Sequence, residues 1–165
     1  MEIEIRKAET DDLERINEIY NYYVLESTCT YQTEPEPIES REKWFNNHNE
    51  KHPVIVIENN GSILGWGAIS RFKERKAYEN TGEISVYIDH EWLHRGLGQA
   101  ILSRLIEKAG KSGLHTLMAV ISADQTPSIK LHEKYGFDTV GRLKEVGNKF
   151  GAWLDVVYMQ YMVKG

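Results

Sequence analysis

The chain places a strand, a glycine turn and a helix in direct succession, an arrangement that can bind an anion. Gly96 and Gly98 let the backbone approach a ligand closely, and the first N–H groups of the following helix have no intrahelical partner. His94 and Arg95 lie beside the positive end of the helix dipole. This combination favours a phosphate group as the ligand.

Two familiar phosphate motifs do not match this turn. The sequence contains no G-x-x-x-x-G-K-[ST], and Ile101 stands where the third glycine of a dinucleotide fingerprint is needed. Nucleotide hydrolysis and nicotinamide binding are therefore disfavoured as functions of this glycine turn.

A zinc-protease string overlaps the same turn. Residues 90–94 read HEWLH and match H-E-x-x-H, which binds zinc only when both imidazoles share one face of a continuous helix. The helical apolar period begins after the glycines, so both histidines are predicted to lie in the strand-to-helix connection. We therefore predict no metal site; a zinc hydrolase stays open as a third-ranked alternative that metal analysis of the purified protein would test.

Length, charge and cysteine content exclude several classes of protein. The 165 residues, 41% of them apolar, predict one domain covering residues 1–165. A net charge of −5 and the lack of a Lys and Arg cluster argue against a nucleic-acid partner. No apolar run approaches a membrane span, no export signal is visible, and the single Cys29 has no partner for an internal disulfide. We expect a cytoplasmic protein with no membrane partner, and Cys29 as a small core or loop residue.

Hydrophobic periodicity predicts the elements that must position these residues. Strands are predicted over residues 3–7, 53–58, 62–70, 83–88, 116–121, 137–143 and 153–162, and helices with apolar stripes over 13–23, 40–48, 97–109 and 127–136. The strand at 116–121 is expected to be buried on both faces, and 27–37 to be a loop. The order predicts an α/β (α+β) fold, a mixed sheet with helices on both faces.

Several strings together resemble a known family. The strand, glycine turn and helix, followed by PSIKLHEKYGF at 127–137, resemble the two core motifs of the GCN5-related N-acetyltransferases, the GNAT superfamily. Three further strings, TEP at 33–35, KERKAY at 73–78 and GNKFGAWLD at 147–155, resemble its phosphinothricin and methionine-sulfone N-acetyltransferase branch. The match runs in order from Ile3 to Met162. It implies the GNAT fold, a mostly antiparallel central sheet of about seven strands flanked by helices on both faces.

The resemblance implies an enzyme that transfers the acetyl group of acetyl-CoA directly to the α-amine of a small amino acid or analogue. Glu83 stands at the family's acidic position and is expected to take the amine proton. The backbone N–H of Tyr87 is expected to receive the thioester oxygen. His132 stands where many members place a tyrosine, and a neutral imidazole there is expected to protonate the departing thiolate.

The resemblance also implies two sets of ligand-binding residues and a homodimer. Coenzyme A is expected to contact Val86, Tyr87, Ile88, His94, Arg95, Gly96, Leu97, Gly98, Gln99, Gln125 and Lys134. The small-molecule amine is expected to contact Tyr31, Glu34, Lys73, Glu74, Arg75, Glu83, Ile84 and Ser85. Lys73 and Arg75 suit an anionic substrate, because a planar guanidinium matches a two-oxygen acceptor.

Two positions depart from the family pattern at the expected cofactor site, and two alternative functions stay open. Leu93 and Gln125 stand where the superfamily usually has a Gln or Arg and an Asn, which removes or lengthens a side-chain donor. One alternative is a GNAT enzyme for another amine, namely a peptide N-terminus, polyamine or aminoglycoside. The other is a non-catalytic acetyl-CoA-binding module, suggested by Leu93.

Overall fold

The computed structural model describes all residues from 1 to 165. Seven strands form in the order β1 (Glu4–Lys7), β2 (Val54–Asn59), β3 (Ser62–Arg71), β4 (Thr81–Ile88), β5 (Thr116–Ser122), β6 (Asp138–Lys149) and β7 (Ala152–Met162). Four α-helices join them, α1 (Leu13–Glu26), α2 (Ile38–Asn46), α3 (Leu97–Lys111) and α4 (Thr126–Lys134). No helix combines the length and apolar character needed to cross a membrane.

All seven strands belong to one mixed sheet with the order β1-β2-β3-β4-β5-β7-β6. Every neighbouring pair is antiparallel except β4 and β5, which run parallel with α3 as the crossover between them. The structure thus confirms the predicted fold class, the number of strands and the order of the elements.

Two apolar cores lie on opposite faces of the sheet. Strand β2 contributes to both, because Val54 and Val56 pack with α1 and α2 whereas Ile55 and Ile57 pack with α3 and α4. This explains why the run VIVI is apolar without interruption: a central strand covered on both faces needs apolar side chains at every position.

Strands β4 and β5 pair over only part of their length. The register joins Thr81, Gly82 and Glu83 of β4 to 116–118 of β5 and then ends, although β4 continues to Ile88 and β5 to Ser122. The two strands therefore separate, and their later residues leave an opening in the middle of the sheet, called here the β4–β5 gap.

Two strands differ from the sequence-based expectation. Val120 in β5 is exposed, because its side chain faces the β4–β5 gap rather than a covering helix, so the prediction of burial on both faces is wrong at this residue. Strand β6 is predicted to end at residue 143 but continues to Lys149 through two irregularities in its pairing with β7. Its side chains are largely exposed, which is why apolar periodicity does not reveal the extension.

Candidate active site

Two cavities meet at the β4–β5 gap. One, called here the Glu83 cavity, has a volume of about 430 Å³ and lies on the α1 and α2 side of the sheet. The other, called the α3 cavity, has a volume of about 590 Å³ and reaches the N-terminus of α3. Both are lined by Cys29, Ile84, Ser85, Tyr87, Val120, Ile121 and Ser122. A group held in one cavity can therefore meet a group held in the other.

Most residues predicted for a site line one of these cavities. The Glu83 cavity takes in Tyr31, Glu83, Ile84, Ser85 and Tyr87. The α3 cavity takes in Val86, Tyr87, Ile88, His94, Gly96, Leu97, Gly98, Gln99, Gln125 and His132. The fold thus brings together residues separated by up to 101 positions in the chain, from Tyr31 to His132.

Six predicted residues lie outside both linings: Glu34, Lys73, Glu74, Arg75, Arg95 and Lys134. Arg95 places its guanidinium carbon 4.7 Å from the centre of the Trp92 ring, and Lys134 donates a 2.9 Å hydrogen bond to the Gln99 side chain. The other four are exposed on loops. Their roles stay predictions.

The N-terminus of α3 presents unpaired backbone donors to the α3 cavity. Gly96 caps the helix with a φ of +79°, a conformation that glycine adopts without strain. The first intrahelical bond runs from the Ala100 N–H to the Gly96 carbonyl, and no side chain caps the helix, so the N–H groups of Leu97, Gly98 and Gln99 have no protein acceptor. Three free donors at the positive end of a 15-residue helix suit a phosphate.

The hydrogen-bond ladder of β4 corrects the expectation for Tyr87. The Asp89 N–H donates to the Leu64 carbonyl, and an antiparallel ladder alternates, so Tyr87 likewise directs its N–H toward β3, where it is paired with Trp66. The Tyr87 N–H is therefore not available to a thioester oxygen. The even-numbered residues Val86 and Ile88 direct their N–H groups into the β4–β5 gap.

Glu83 is the last residue of β4 that pairs with β5, and it lies in the wall of the Glu83 cavity. Burial raises the pKa of its carboxyl group, and the positive charge of Lys73 opposes part of that rise. No side chain donates a hydrogen bond to it or forms an ion pair with it, so both oxygens are free to accept a proton from a ligand or a water. A carboxylate in this setting is suited to act as a general base.

The structure does not support a proton-donating role for a neutral His132. Its Nδ1 lies 2.7 Å from the Ser128 carbonyl, which can only accept, so Nδ1 carries the proton. Burial lowers the pKa of the imidazole, which keeps it neutral, and Nε2 then bears a lone pair. His132 can therefore accept a hydrogen bond from a ligand in the α3 cavity but has no proton to give from Nε2.

The loop after α1 closes the β4–β5 gap near its open end. Thr28 donates to Asp124 and accepts a 2.8 Å hydrogen bond from Gln125, and Cys29 donates from Sγ to the same Gln125 side chain. Tyr31 donates to Ser122 at 2.8 Å. The amide of Gln125 thus ties the loop to α4, and Cys29, expected to be only a packing or loop residue, lies where the two cavities meet.

Lys149, which lies in the GNKFGAWLD string but was not predicted as a site residue, holds this loop in place. Its Nζ donates to the carbonyls of Ser27 at 2.6 Å, Thr30 at 2.7 Å and Tyr23 at 3.4 Å, and the residue is only 4% exposed. These are carbonyls at and beyond the C-terminus of α1, where a cation is favourable. The contacts join positions more than 100 residues apart, so no local pattern signals them.

Replacing Lys149 with Met is expected to destabilise the fold by about 1–3 kcal/mol, because buried carbonyls lose their donor. Thermal unfolding measures the effect. The matched control is Lys144→Met on the same strand, where the side chain is exposed and only a small change is expected. Equal melting temperatures for the two variants would contradict the role assigned to Lys149.

The zinc-protease string does not adopt the conformation that its motif requires. His90–Trp92 forms a single 3-10 turn, and His94 has a φ of +61°, so the string is not one continuous α-helix. His90 stacks on Tyr22 with ring centres 3.7 Å apart. No group of three or more His, Cys, Asp or Glu side chains converges in a way that could hold a metal ion. The helical face that zinc requires in this motif does not form.

Comparison with known proteins agrees with this geometry. A family model described as Acetyltransferase (GNAT) domain matches residues 5–158. The L-methionine sulfoximine/L-methionine sulfone acetyltransferase of Pseudomonas aeruginosa is 35% identical over 162 residues, which cover 97% of this chain and 94% of that protein.

Solved structures give the same result. The crystal structure of an N-acetyltransferase from Staphylococcus aureus Mu50 has a TM-score of 0.95 and 37% identity, with 99% of this chain and 100% of that chain covered. A GNAT superfamily phosphinothricin acetyltransferase from Sinorhizobium meliloti, solved in complex with AcCoA, has a TM-score of 0.93 and 33% identity, with 99% and 89% covered. The resemblance found in the sequence is confirmed, and the chain belongs to the GNAT acetyltransferase domain family.

Proposed function

We propose that this domain transfers the acetyl group of acetyl-CoA to the α-amine of a small amino acid or amino-acid analogue. The observation that carries the proposal is the meeting of the two cavities: Glu83 lies in one, and the free donors of α3 and β4 lie in the other. The substrate class rests on similar proteins, whose names specify methionine sulfone, methionine sulfoximine and phosphinothricin.

The residues of the α3 cavity fit coenzyme A. The free N–H groups of Leu97, Gly98 and Gln99 are placed to hold its pyrophosphate. The N–H groups of Val86 and Ile88 are placed to pair with its extended arm, in the manner of an added strand. When bound, acetyl-CoA supplies an acetyl group activated as a thioester. The separation of β4 from β5 gives that group access to the Glu83 cavity.

The residues of the Glu83 cavity fit the amine. Glu83 takes the proton from the substrate ammonium, directly or through a water, and so generates the attacking nitrogen. A β4 N–H facing the gap donates to the carbonyl oxygen where negative charge develops. His132 accepts a hydrogen bond in the α3 cavity and orients what is bound there.

The loop of residues 72–80, between β3 and β4, is proposed to bind the substrate α-carboxylate. The charge of Lys73 opposes the rise in the pKa of the Glu83 carboxyl that burial causes, which supports a position for Lys73 near the amine end of the site. Arg75 follows on the same loop and offers a planar pair of donors. Glu34 and Glu74 are proposed as further contacts to the substrate.

A screen of acetyl-CoA-dependent thiol release tests the function. The amines are the proteinogenic L-amino acids, L-methionine sulfone, L-methionine sulfoximine and L-phosphinothricin, with spermidine, kanamycin and a peptide N-terminus as comparison. We expect turnover with one or more amino acids or analogues and little with the comparison amines. Turnover only with the comparison amines would refute the proposed substrate class. Binding of acetyl-CoA without turnover of any amine would refute the enzymatic activity.

We also propose that residues 1–165 form a single domain in the cytoplasm and that two copies associate through β6 and β7. One sheet contains strands from both ends of the chain, β1 and β7, which supports a single domain. Strand β6 is a long edge strand, and Val146, Phe150 and Trp153 are 56%, 62% and 67% exposed along this hairpin. An edge with exposed apolar side chains favours self-association about a two-fold axis.

Replacing Trp153 with Glu is expected to shift the protein from dimer to monomer, because a charge would have to be buried in the interface. Sedimentation equilibrium over a range of protein concentrations measures the change. Leu25→Glu, on the exposed side of α1, is the control and should leave the dimer intact. A monomeric wild-type protein would refute the proposed association.

A further inference from the structure

Arg41 is a buried cation in the wall of the Glu83 cavity that the proposed chemistry does not use. It lies on α2 and is 4% exposed. Trp44, three positions later, shares its face of the helix and also lines the cavity. An arginine on the inward face of an amphipathic helix is unusual, because burial removes the guanidinium from water.

Aromatic rings surround the guanidinium without neutralising it. Its carbon lies 4.7 Å from the centre of the Tyr20 ring, 4.6 Å from Trp44 and 5.5 Å from Trp66. Such contacts stabilise a cation and hold its plane in a fixed orientation. They leave the N–H groups at the edge of that plane free for hydrogen bonds.

Most of the donors of Arg41 have no acceptor in the protein. Nε donates to the Asn17 side chain at 3.0 Å, and this is the one hydrogen bond that the guanidinium makes. Neither Nη group has a partner, and no carboxylate lies within ion-pair distance. Burial lowers the pKa of the Arg41 guanidinium, and the negative charge of Glu36, which lines the same cavity and accepts a hydrogen bond from Gln32, opposes part of that fall without forming an ion pair with Arg41. A fork of free donors that opens onto the cavity is suited to an oxygen-bearing ligand.

Arg41 and Glu83 lie toward opposite ends of the cavity. On the sheet, Trp66 pairs with Tyr87 whereas Ser70 pairs with Glu83, and Arg41 lies over the Trp66 ring. Tyr87 and Glu83 are four residues apart on β4, which is about 13 Å along a strand. A substrate group that contacts Arg41 is therefore not the α-carboxylate, which lies next to the amine.

We propose that the Arg41 guanidinium binds the oxygen-bearing group at the side-chain end of the amino-acid substrate, such as a sulfonyl, phosphinyl or carboxylate group. This inference rests on the proposed function and assigns the substrate's two polar ends separately. The α-carboxylate meets the Lys73 and Arg75 loop beside Glu83, and the side-chain oxygens meet Arg41. The site thereby selects amino acids with a polar side-chain end over their apolar counterparts.

Steady-state acetylation of L-methionine sulfone and L-methionine tests the assignment, because the two substrates differ only in the sulfonyl oxygens. The wild type is expected to prefer the sulfone. In Arg41→Gln, kcat/KM for the sulfone should fall by about tenfold to a hundredfold, toward the value for methionine, which itself changes little. Arg41→Lys keeps the charge without the fork and should lie between the two.

The contact to the α-carboxylate is tested with L-methionine sulfone amide, in which an uncharged amide replaces that carboxylate. The fall in kcat/KM from the sulfone to its amide should be the same in the wild type and Arg41→Gln. It should be smaller in Arg75→Gln, which has already lost the contact to the carboxylate. The assignment would be overturned if Arg41→Gln lowered kcat/KM equally for the sulfone and for methionine. It would also be overturned if Arg41→Gln reduced the effect of replacing the α-carboxylate with an amide. Thermal unfolding shows whether each variant is folded.

A binding measurement separates failure of this inference from failure of the proposed function. Titration with L-phosphinothricin, followed by tryptophan fluorescence, reports binding near Trp44 and Trp66 without turnover. The affinity should fall by about tenfold or more in Arg41→Gln and by less in Arg41→Lys, which keeps the charge without the fork. Unchanged affinity would refute the role of Arg41. Tight binding to the wild type without acetylation would refute the proposed function alone.

Discussion

Replacing Glu83 with Gln is expected to lower kcat/KM by about 10²- to 10⁴-fold, the range typical of a lost general base. The amide keeps the size of the side chain but accepts no proton from the substrate ammonium. Acetyl-CoA affinity should stay within a few fold of the wild type, because the cofactor is held by backbone donors of α3 and β4 in the adjoining cavity. Steady-state kinetics and calorimetric titration measure the two quantities separately.

The pH profile gives this prediction a second readout. Glu83 acts only when ionised, so kcat/KM should rise with pH through the pKa of Glu83, which burial places above the ordinary value of 4.5. That acidic limb should be absent in Glu83→Gln. Glu42→Gln, an exposed carboxyl on α2, should keep both the rate and the limb.

Stability should change in the opposite direction to activity. A carboxyl whose pKa is raised by folding binds protons more tightly in the folded state, so its contribution to stability is lost as the pH rises through the raised pKa. At neutral pH Glu83→Gln should therefore be at least as stable as the wild type, and this advantage should shrink toward acidic pH. Normal turnover by Glu83→Gln would show that Glu83 is not the general base.

Replacing Gly98 with Asp is expected to weaken acetyl-CoA binding by about 10²- to 10³-fold. A Cβ at this position would lie 3.5 Å from Leu131 and 3.9 Å from Ile88, both in the α3 cavity wall, so the added carbon is accommodated at ordinary contact distance. Two like charges about 4 Å apart near a protein surface repel by about 4 kcal/mol. Isothermal titration with acetyl-CoA measures the loss.

The same substitution should stabilise the free protein. Removing a helical glycine is favourable by about 0.5–1 kcal/mol, and a carboxylate in the first turn of α3 complements the helix dipole. Gly98→Asn has the shape of the aspartate without its charge and should bind acetyl-CoA more tightly than Gly98→Asp. Equal affinities for the two variants would show that no phosphate lies at this helix end.

Local features of the site were predictable because each depends on residues adjacent in sequence. The turn before α3 required only Gly96, Gly98 and the apolar stripe that follows. The family resemblance identified Glu83 as the acidic residue on β4. Because side chains alternate along a strand, Glu83 and Tyr87 had to lie on the same face of the sheet. These expectations needed no knowledge of which strands are neighbours.

Other features depended on distant contacts and were missed or mistaken. The assignment of the thioester oxygen to the Tyr87 N–H failed because hydrogen-bond direction follows from the pairing of β4 with β3. The role of His132 changed because Ser128 fixes its proton on Nδ1. Arg41 did offer a signal, since it lies one turn from the large apolar side chain of Trp44 in the helix predicted over residues 40–48.

By itself the sequence determined the order of strands and helices, the glycine turn that frees the α3 donors, and the family to which the chain belongs. These follow from hydrophobic periodicity and short motifs, which are properties of neighbouring residues. The tertiary structure alone decided where β4 leaves β5, which backbone donors face the resulting gap, and that Arg41 keeps unpaired donors in the wall of the Glu83 cavity. Strand partners, buried charges and cavity walls are set by packing between residues far apart in the chain, and no local pattern encodes that packing.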